Sequence, residues 1–119
     1  MLRQVLKSKI HRARITAGDV DYEGSIEIDS ELLAEVDLVE GEKVLVASVT
    51  SGNRLETYVQ SGKPGSRDFI INGGAARLIK KGETVVIMAF GLSEGHYEAK
   101  RVVLDENNRI IRRGRRMPS

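Results

Sequence analysis

Gly24-Ser25 is the dipeptide with the most unusual chemical potential in this chain. Glycine allows backbone angles that other residues avoid, so the Gly24 carbonyl can be presented to the neighbouring hydroxyl. Ser25 can then attack it, giving an ester in place of the amide. Elimination from that ester leaves dehydroalanine, which hydrolyses to a pyruvoyl group. The same dipeptide at Gly65-Ser66 reads as a plain turn, so the pair alone does not establish self-processing.

Other residues could serve such a centre. Lys9 and His11 stand two apart in a strand-like stretch and share a face. Arg54 opens another such stretch, with Thr57 and Tyr58 behind it. Singly, each reads as part of a solvated strand face. As a set they offer cations for carboxylates and a phenol for proton transfer. Asn72-Gly73-Gly74-Ala75-Ala76 joins a strand to a short helix. Its glycines let a ligand approach the backbone, and a helix N-terminus attracts anions. The same pattern occurs in ordinary strand-to-helix turns.

Composition narrows what these residues can belong to. A chain of 119 residues reads as one domain, residues 1–119. It is 40% hydrophobic and 30% charged, with 4% aromatics and no Trp. Aliphatic residues must then fill the core, which favours strands over a helical bundle. A formal charge of +2 is too mild to imply a polyanion partner. The absence of cysteine excludes disulfides, Cys-ligated zinc and thiol catalysis. With two histidines, a histidine-rich metal site is excluded and no metal is expected. No G-x-S-x-G, P-loop, H-E-x-x-H or G-x-G-x-x-G pattern occurs. No apolar run approaches the roughly 20 residues of a membrane span, and no signal peptide is apparent. A cytoplasmic protein with no membrane partner is expected.

The elements that must position the candidates are mostly strands. Runs rich in Val, Ile and Thr cover Gln4–Leu6, Ile10–Thr16, Gly24–Ile28, Lys43–Ser48, Leu55–Gln60, Phe69–Ile71, Thr84–Phe90 and Ala99–Val103. Asp29 or Ser30 can cap a helix over Glu31–Val36, and Ala75–Lys80 can form a second ending near Gly82. Leu38-Val-Glu-Gly41-Glu42-Lys-Val44 is echoed by Ile79-Lys-Lys-Gly82-Glu83-Thr-Val85, which suits a small barrel of two similar halves. Arg109, Arg112, Arg113, Arg115 and Arg116 crowd the C-terminal end. Without interleaved aromatics for base stacking they read as solvated or oligomer-contacting, so no nucleic-acid partner is expected. Residues 112–119 read as a flexible tail.

The separate signals gain force in combination. Lys9-Ile-His11-Arg12, Tyr22-Glu23-Gly24-Ser25, Thr50-x-Gly52-x-Arg54, Thr57-Tyr58, Gly65-Ser66-Arg67 and Asn72-Gly73-Gly74-Ala75-Ala76 follow one another in this order. In order, identity and spacing this series resembles bacterial pyruvoyl-dependent aspartate 1-decarboxylase, from about Met1 to Ile111. The resemblance implies a mainly β fold, a double-psi β-barrel with short helices and pseudo-two-fold symmetry. It implies cleavage between Gly24 and Ser25 into a β chain 1–24 and an α chain 25–119. Ser25 would become the covalent pyruvoyl cofactor and form a Schiff base with L-aspartate. Loss of CO₂ would yield β-alanine for pantothenate and coenzyme A biosynthesis. Tyr58 would be the proton donor, and Thr57 would contact substrate and assist maturation. Asn72, Gly73, Gly74 and Ala75 would line the substrate site. Lys9, His11, Tyr22 and Arg54 would hold carboxylates and shape the pocket. The family implies a homotetramer with active sites between subunits, so Arg54 would serve a neighbour's Ser25. It also leaves room for a maturation factor. Gly74 departs from the family's usual Ala, as does the arginine-rich end. Two other readings compete: a basic-tailed barrel that binds nucleic acid, and a non-maturing structural paralogue.

Overall fold

Short runs rich in branched aliphatic residues dictate most of the strands, and burial alternates along them. In Lys43–Ser48, Val44 and Val46 are buried while Lys43 is exposed, so one face enters the core. The computed structural model describes residues 1–114. Its strands are β1 (Arg3–Arg14), β2 (Ala17–Asp19), β3 (Ser25–Asp29), β4 (Lys43–Ser48), β5 (Arg54–Gly62), β6 (Phe69–Asn72), β7 (Thr84–Ser93), β8 (Lys100–Leu104) and β9 (Ile110–Gly114). Two short helices, α1 (Ser30–Glu35) and α2 (Ala75–Leu78), lie between β3 and β4 and between β6 and β7. The fold is mainly β. No helix among the described residues is long and apolar enough to cross a membrane.

The strands follow the order β2-β6-β3-β5-β4-β7-β1-β8-β9. Because β1 runs into β2, the first seven positions close into a ring. At the junction the Ile15 N–H donates to Glu83 O, on the β7 side (2.9 Å), and the Thr16 N–H to Phe69 O on β6 (2.9 Å). The ring has two similar halves. β5 lies antiparallel to β4 and parallel to β3. The β1–β2 run lies antiparallel to β7 and parallel to β6 in the same way. The two halves meet through the antiparallel pairs β3·β6 and β4·β7. This is the double-psi β-barrel that the resemblance implied.

The internal echo has a structural meaning. The Gly41 N–H donates to Val59 O (2.8 Å) and the Val59 N–H to Glu42 O (3.0 Å). In the other half the Gly82 N–H donates to Ile15 O (2.8 Å) and the Ile15 N–H to Glu83 O (2.9 Å). Both glycines have positive φ, +89° and +91°, where a Cβ is disfavoured. One hydrophobic cluster fills the barrel, drawing Val46 and Ile28 from one half and Ile87 and Phe69 from the other.

Several boundaries differ from the sequence expectation, each for a local reason. Gln4–Leu6 and Ile10–Thr16 fuse into one long strand. Ser8, a polar residue in the gap, is buried with its hydroxyl donating to Val36 O (2.5 Å). Arg12 has φ +68°, where the register with β7 slips between Ile10 and Ala13 as a bulge. Of the two candidate caps, Asp29 holds α1, accepting from the Glu31 N–H (2.9 Å). The same carboxylate accepts from the Gly65 and Arg67 N–H groups (3.0 and 2.8 Å) and so ties down the Gly65-Ser66-Arg67 loop. α2 stops at Leu78 rather than Lys80, because Ile79 turns extended and is buried in the core. β2 and β9 had no sequence signal. Arg112–Gly114 belong to β9, paired to β8, so the expected tail does not begin at Arg112. The Arg113 guanidinium grips Glu35 with two bonds of 2.9 and 3.0 Å, which holds that carboxyl below the usual carboxylate range. Residues 115–119 of the expected tail lie outside the described residues.

The paired glycine turns make a test of the two-fold architecture. A Cβ at Gly41 or Gly82 meets no atom within 4 Å, so the cost of alanine is backbone strain alone. Gly41→Ala and Gly82→Ala should each lower stability by about 1–2 kcal/mol in urea unfolding. Two unchanged midpoints would remove the structural role assigned to these turns.

Candidate active site

Ser25 opens β3 opposite Asn72 on β6 and is fully buried. Its hydroxyl donates to Gln60 Oε1 at 2.8 Å, and Asn72 Nδ2 donates to the Ser25 Oγ at 3.3 Å. A longer contact of 3.5 Å reaches the Glu23 carbonyl. In the parallel β3·β5 register Ile26 faces Val59. Tyr58 precedes Val59 as Ser25 precedes Ile26, so the phenol-bearing residue stands beside the serine. Tyr58 and Tyr22 are both exposed.

The segment that carries Gly24 lies against the Asn72–Gly73 turn. Gly73 has φ +79°, and its N–H donates to Asp19 O at 2.7 Å. A Cβ on Gly73 would fall 2.6 Å from Gly24 Cα and 2.8 Å from Gly24 N. Gly24 itself is not among the glycines with positive φ, and a Cβ there would meet nothing within 4 Å. The special backbone freedom expected of Gly24 is therefore located at Gly73, which must be bare for the two segments to touch.

Beyond Gly73 the turn passes into α2. Gly74 is its N-cap, with φ −58° and ψ −27° and no side-chain cap. The Gly74 and Ala75 N–H groups make no hydrogen bond among the described residues. They are two donors beside Ser25's neighbour Asn72. With four residues, α2 adds little dipole of its own.

Lys9, His11 and Arg54 form a second group. Arg54 faces Ala47 on β4, and Ala47 faces Val86 on β7. Val86 lies between the partners of Ile10 and Ala13, opposite the bulge that holds His11 and Arg12. Lys9 lies one row along, opposite Met88. These residues alternate with core residues Ile10, Val46, Val85 and Ile87, so they share the outer surface of the barrel. Arg54 is four residues upstream of Tyr58, about 13 Å along the strand. One chain thus does not bring this group to Ser25. Thr57 lies on the inward side of β5 with Leu55 and Val59, facing Val44, and is not a hydrogen-bond partner of Ser25.

Burial, then the nearby Lys9 and Arg12 charges, pushes the His11 imidazole below its ordinary range. Its Nδ1 is buried without a partner. Two clefts lie elsewhere, around Arg101, Arg113 and Glu35 and around Arg67, Arg109 and Asp29. Among the described residues no cluster of three or more His, Cys, Asp or Glu could hold a metal ion. Gln60, the shortest partner of Ser25, had no sequence signal beyond being a polar residue in a strand.

A family model described as "Aspartate decarboxylase" matches residues 1–111. The chain belongs to that family. A protein named "Aspartate 1-decarboxylase" from Pseudothermotoga lettingae is 49% identical over 112 residues, covering 92% of this chain and 97% of its own. Its counterpart from Thermotoga petrophila is 51% identical over 111 residues, with 93% and 97% covered. One from Haloquadratum walsbyi is 47% identical, with 95% and 99% covered. The crystal structure of the computationally designed msDPBB_sym2 protein matches at TM-score 0.45 and 18% identity, covering 73% of this chain and 99% of its own.

Aspartate decarboxylase membership gives the two adjacent glycines distinct tests. Gly73→Ala combines the clash with Gly24 and a disfavoured φ, so it should lower the melting temperature and displace the Gly24 segment. Gly74→Ala suits αR geometry and open space, and should stabilise by about 0.4–1 kcal/mol. Equal effects of the two substitutions on thermal melting would refute this assignment. His11 should titrate below 6.5 by NMR. Lys9→Met removes one of the charges that lower it, so the His11 titration should move upward, and an unmoved titration would contradict the placement of Lys9 beside it.

Proposed function

We propose that this chain is made as a precursor, cuts itself between Gly24 and Ser25, and then converts L-aspartate to β-alanine and CO₂. The observation that carries this reading is the Ser25 hydroxyl, buried and held by two carboxamides, on a peptide pressed against a bare Gly73. Family membership supplies the reaction. The β-alanine would feed pantothenate and coenzyme A synthesis in the cytoplasm.

A pyruvoyl group formed from Ser25 fits its surroundings. Gln60 and Asn72 each carry a donor and an acceptor, so they suit a carbonyl as well as a hydroxyl. When present, that group supplies an electrophile for the substrate's amino group and a sink for the electrons left by CO₂. The chain's own residues bind, orient and move a proton. Tyr58 would donate a proton to the former α-carbon. Asn72 and the backbone N–H groups of Gly74 and Ala75 would hold substrate from one side, with Gly73 and Tyr22 bounding the pocket. Thr57 would contact substrate and assist cleavage.

Arg54, Lys9 and His11 would hold carboxylates, with Arg54 able to form two parallel hydrogen bonds. Their distance from Ser25 within one chain supports a homotetramer whose sites lie between subunits. Each cation set would then serve a neighbouring Ser25. A substrate carboxylate there would favour charged His11, offsetting the burial that lowers its pKa.

An intact mass spectrum under denaturing conditions should show two pieces, residues 1–24 and 25–119. Ser25→Ala should give one uncleaved, inactive chain, and an active Ser25→Ala protein would end the proposal. A purified parent chain that never cleaves alone would point to a maturation factor if lysate restores cleavage, and to a non-maturing paralogue if it does not. Tyr58→Phe should still mature but turn over about a hundredfold slower. Arg54→Ala should lower kcat/KM by about a hundredfold, on the order of 3 kcal/mol. Co-expressed Ser25→Ala and Arg54→Ala chains should regain activity that neither has alone. No recovery in mixed tetramers would place Arg54 and Ser25 of one site in the same subunit.

A further inference from the structure

We propose that Gln60 is a positioning residue for self-cleavage, its amide oxygen aiming the Ser25 hydroxyl at the Gly24 carbonyl. The inference rests on the maturation reading above. A serine side chain ordinarily samples three staggered rotamers. Here the Oγ–H donates to Gln60 Oε1 at 2.8 Å while the Asn72 amide donates to the same oxygen at 3.3 Å. With its proton and one lone pair engaged, the hydroxyl keeps one remaining lone pair in a fixed direction. The Gln60 bond is the shorter, and it is the one that takes the proton.

The first covalent step, an N-to-O acyl shift, balances without a co-reactant. A bond forms between Ser25 Oγ and the Gly24 carbonyl carbon. The bond from that carbon to the Ser25 nitrogen breaks, and the hydroxyl proton ends on the freed amine. Elimination then releases the Gly24 carboxylate, and water converts the dehydroalanine to the pyruvoyl group with loss of ammonia. The partners of Oγ are two carboxamides and the Glu23 carbonyl, none of them a strong base. Position therefore has to supply what general-base catalysis does not.

Gln60 reaches Ser25 because of the barrel's register. It faces Glu27 in the parallel β3·β5 pair and lies on the same outer side as Ser25. Its contact is partly buried, so water competes weakly for the hydroxyl. Removing the acceptor leaves the hydroxyl free to rotate.

The test follows cleavage of the full-length chain after cell-free synthesis, by denaturing mass spectrometry over time. Gln60→Met keeps the length of the side chain and removes the acceptor. It should slow cleavage about five- to tenfold, the equivalent of one net hydrogen bond. Gln60→Glu keeps the acceptor and adds a base. Its cleavage rate should rise with pH as the carboxyl ionises and then level off, a profile that a merely structural role would not produce. Glu27→Gln, on the same face, should cleave at the parental rate. If parent and Gln60→Met cleave equally, or if Gln60→Glu matches the parent at every pH, Gln60 has no positioning role. Should Gln60→Met fail to fold, the Gln60→Glu profile decides. A parent chain that does not cleave at all, with or without lysate, sinks the maturation reading itself, a result distinct from the other two.

Discussion

The ring closes where the N-terminal strand changes partners between Ile15 and Thr16. Ile15 bonds to the β7 side and Thr16 to β6, within one peptide step. Without that switch β2 would have no reason to lie beside β6, and the sheet would have two open edges. Closure fixes where β6 ends, and β6 ends at Asn72. The Asn72–Gly73 turn then lies over the segment that leads into β3. The local chemistry at Ser25 thus depends on the pairing of Thr16 with Phe69, groups 53 residues apart in sequence.

The same closure explains why the serine is unusual. A buried hydroxyl without partners costs roughly 1–3 kcal/mol, so the fold must satisfy it. Here it does so with neutral amides. Neutral partners hold a nucleophile in place without activating it strongly, which would suit the proposed single cleavage of each chain. The Gly73–Gly24 contact works in the same direction. It removes space for the Gly24 segment to swing away, and it does so by the absence of a side chain. Ordering a flexible loop costs on the order of 1 kcal/mol per residue, and the barrel core supplies the offset.

Legibility in the sequence followed the range of each signal. β4 and β7 were readable because short apolar runs rich in Val and Ile are bounded by turn residues, with no competing feature. β2 was not, because three residues held by one neighbour carry no periodicity. The C-terminal arginines read as a solvated tail, yet Arg113 reaches Glu35 across the fold. A pairing so distant in sequence leaves no local trace. Ser25, Asn72 and Gly73 were legible as motif residues, but the reason for Gly73 was not, since it lies in a close approach and not in the turn alone. Gln60 was invisible, because its meaning comes from strand register. The expectation that Lys9, His11 and Arg54 belong together rested on their charge chemistry and on the family resemblance, not on any local signal of contact. The barrel places them on one outer surface, across four strands that the sequence does not order.

That surface also carries an electrostatic argument about assembly. Lys9, Arg12 and Arg54 add positive charge around a half-buried imidazole already pushed toward its neutral form. Of the acidic groups near this surface, Glu56 is paired with Lys43 at 3.1 Å. Asp105 and Glu106 share a cleft with Arg12, and like charges that such groups do not offset raise the free energy of the isolated chain. The cheapest relief is an anion or an acidic partner surface brought to the same place. Ser25, with the bare N–H donors of Gly74 and Ala75 nearby, has the opposite incompleteness: a nucleophile and hydrogen-bond donors with no cation to hold a dicarboxylate. In the proposed homotetramer one copy's cationic face would meet another copy's Ser25 turn, and each surface would gain the chemistry that it lacks alone.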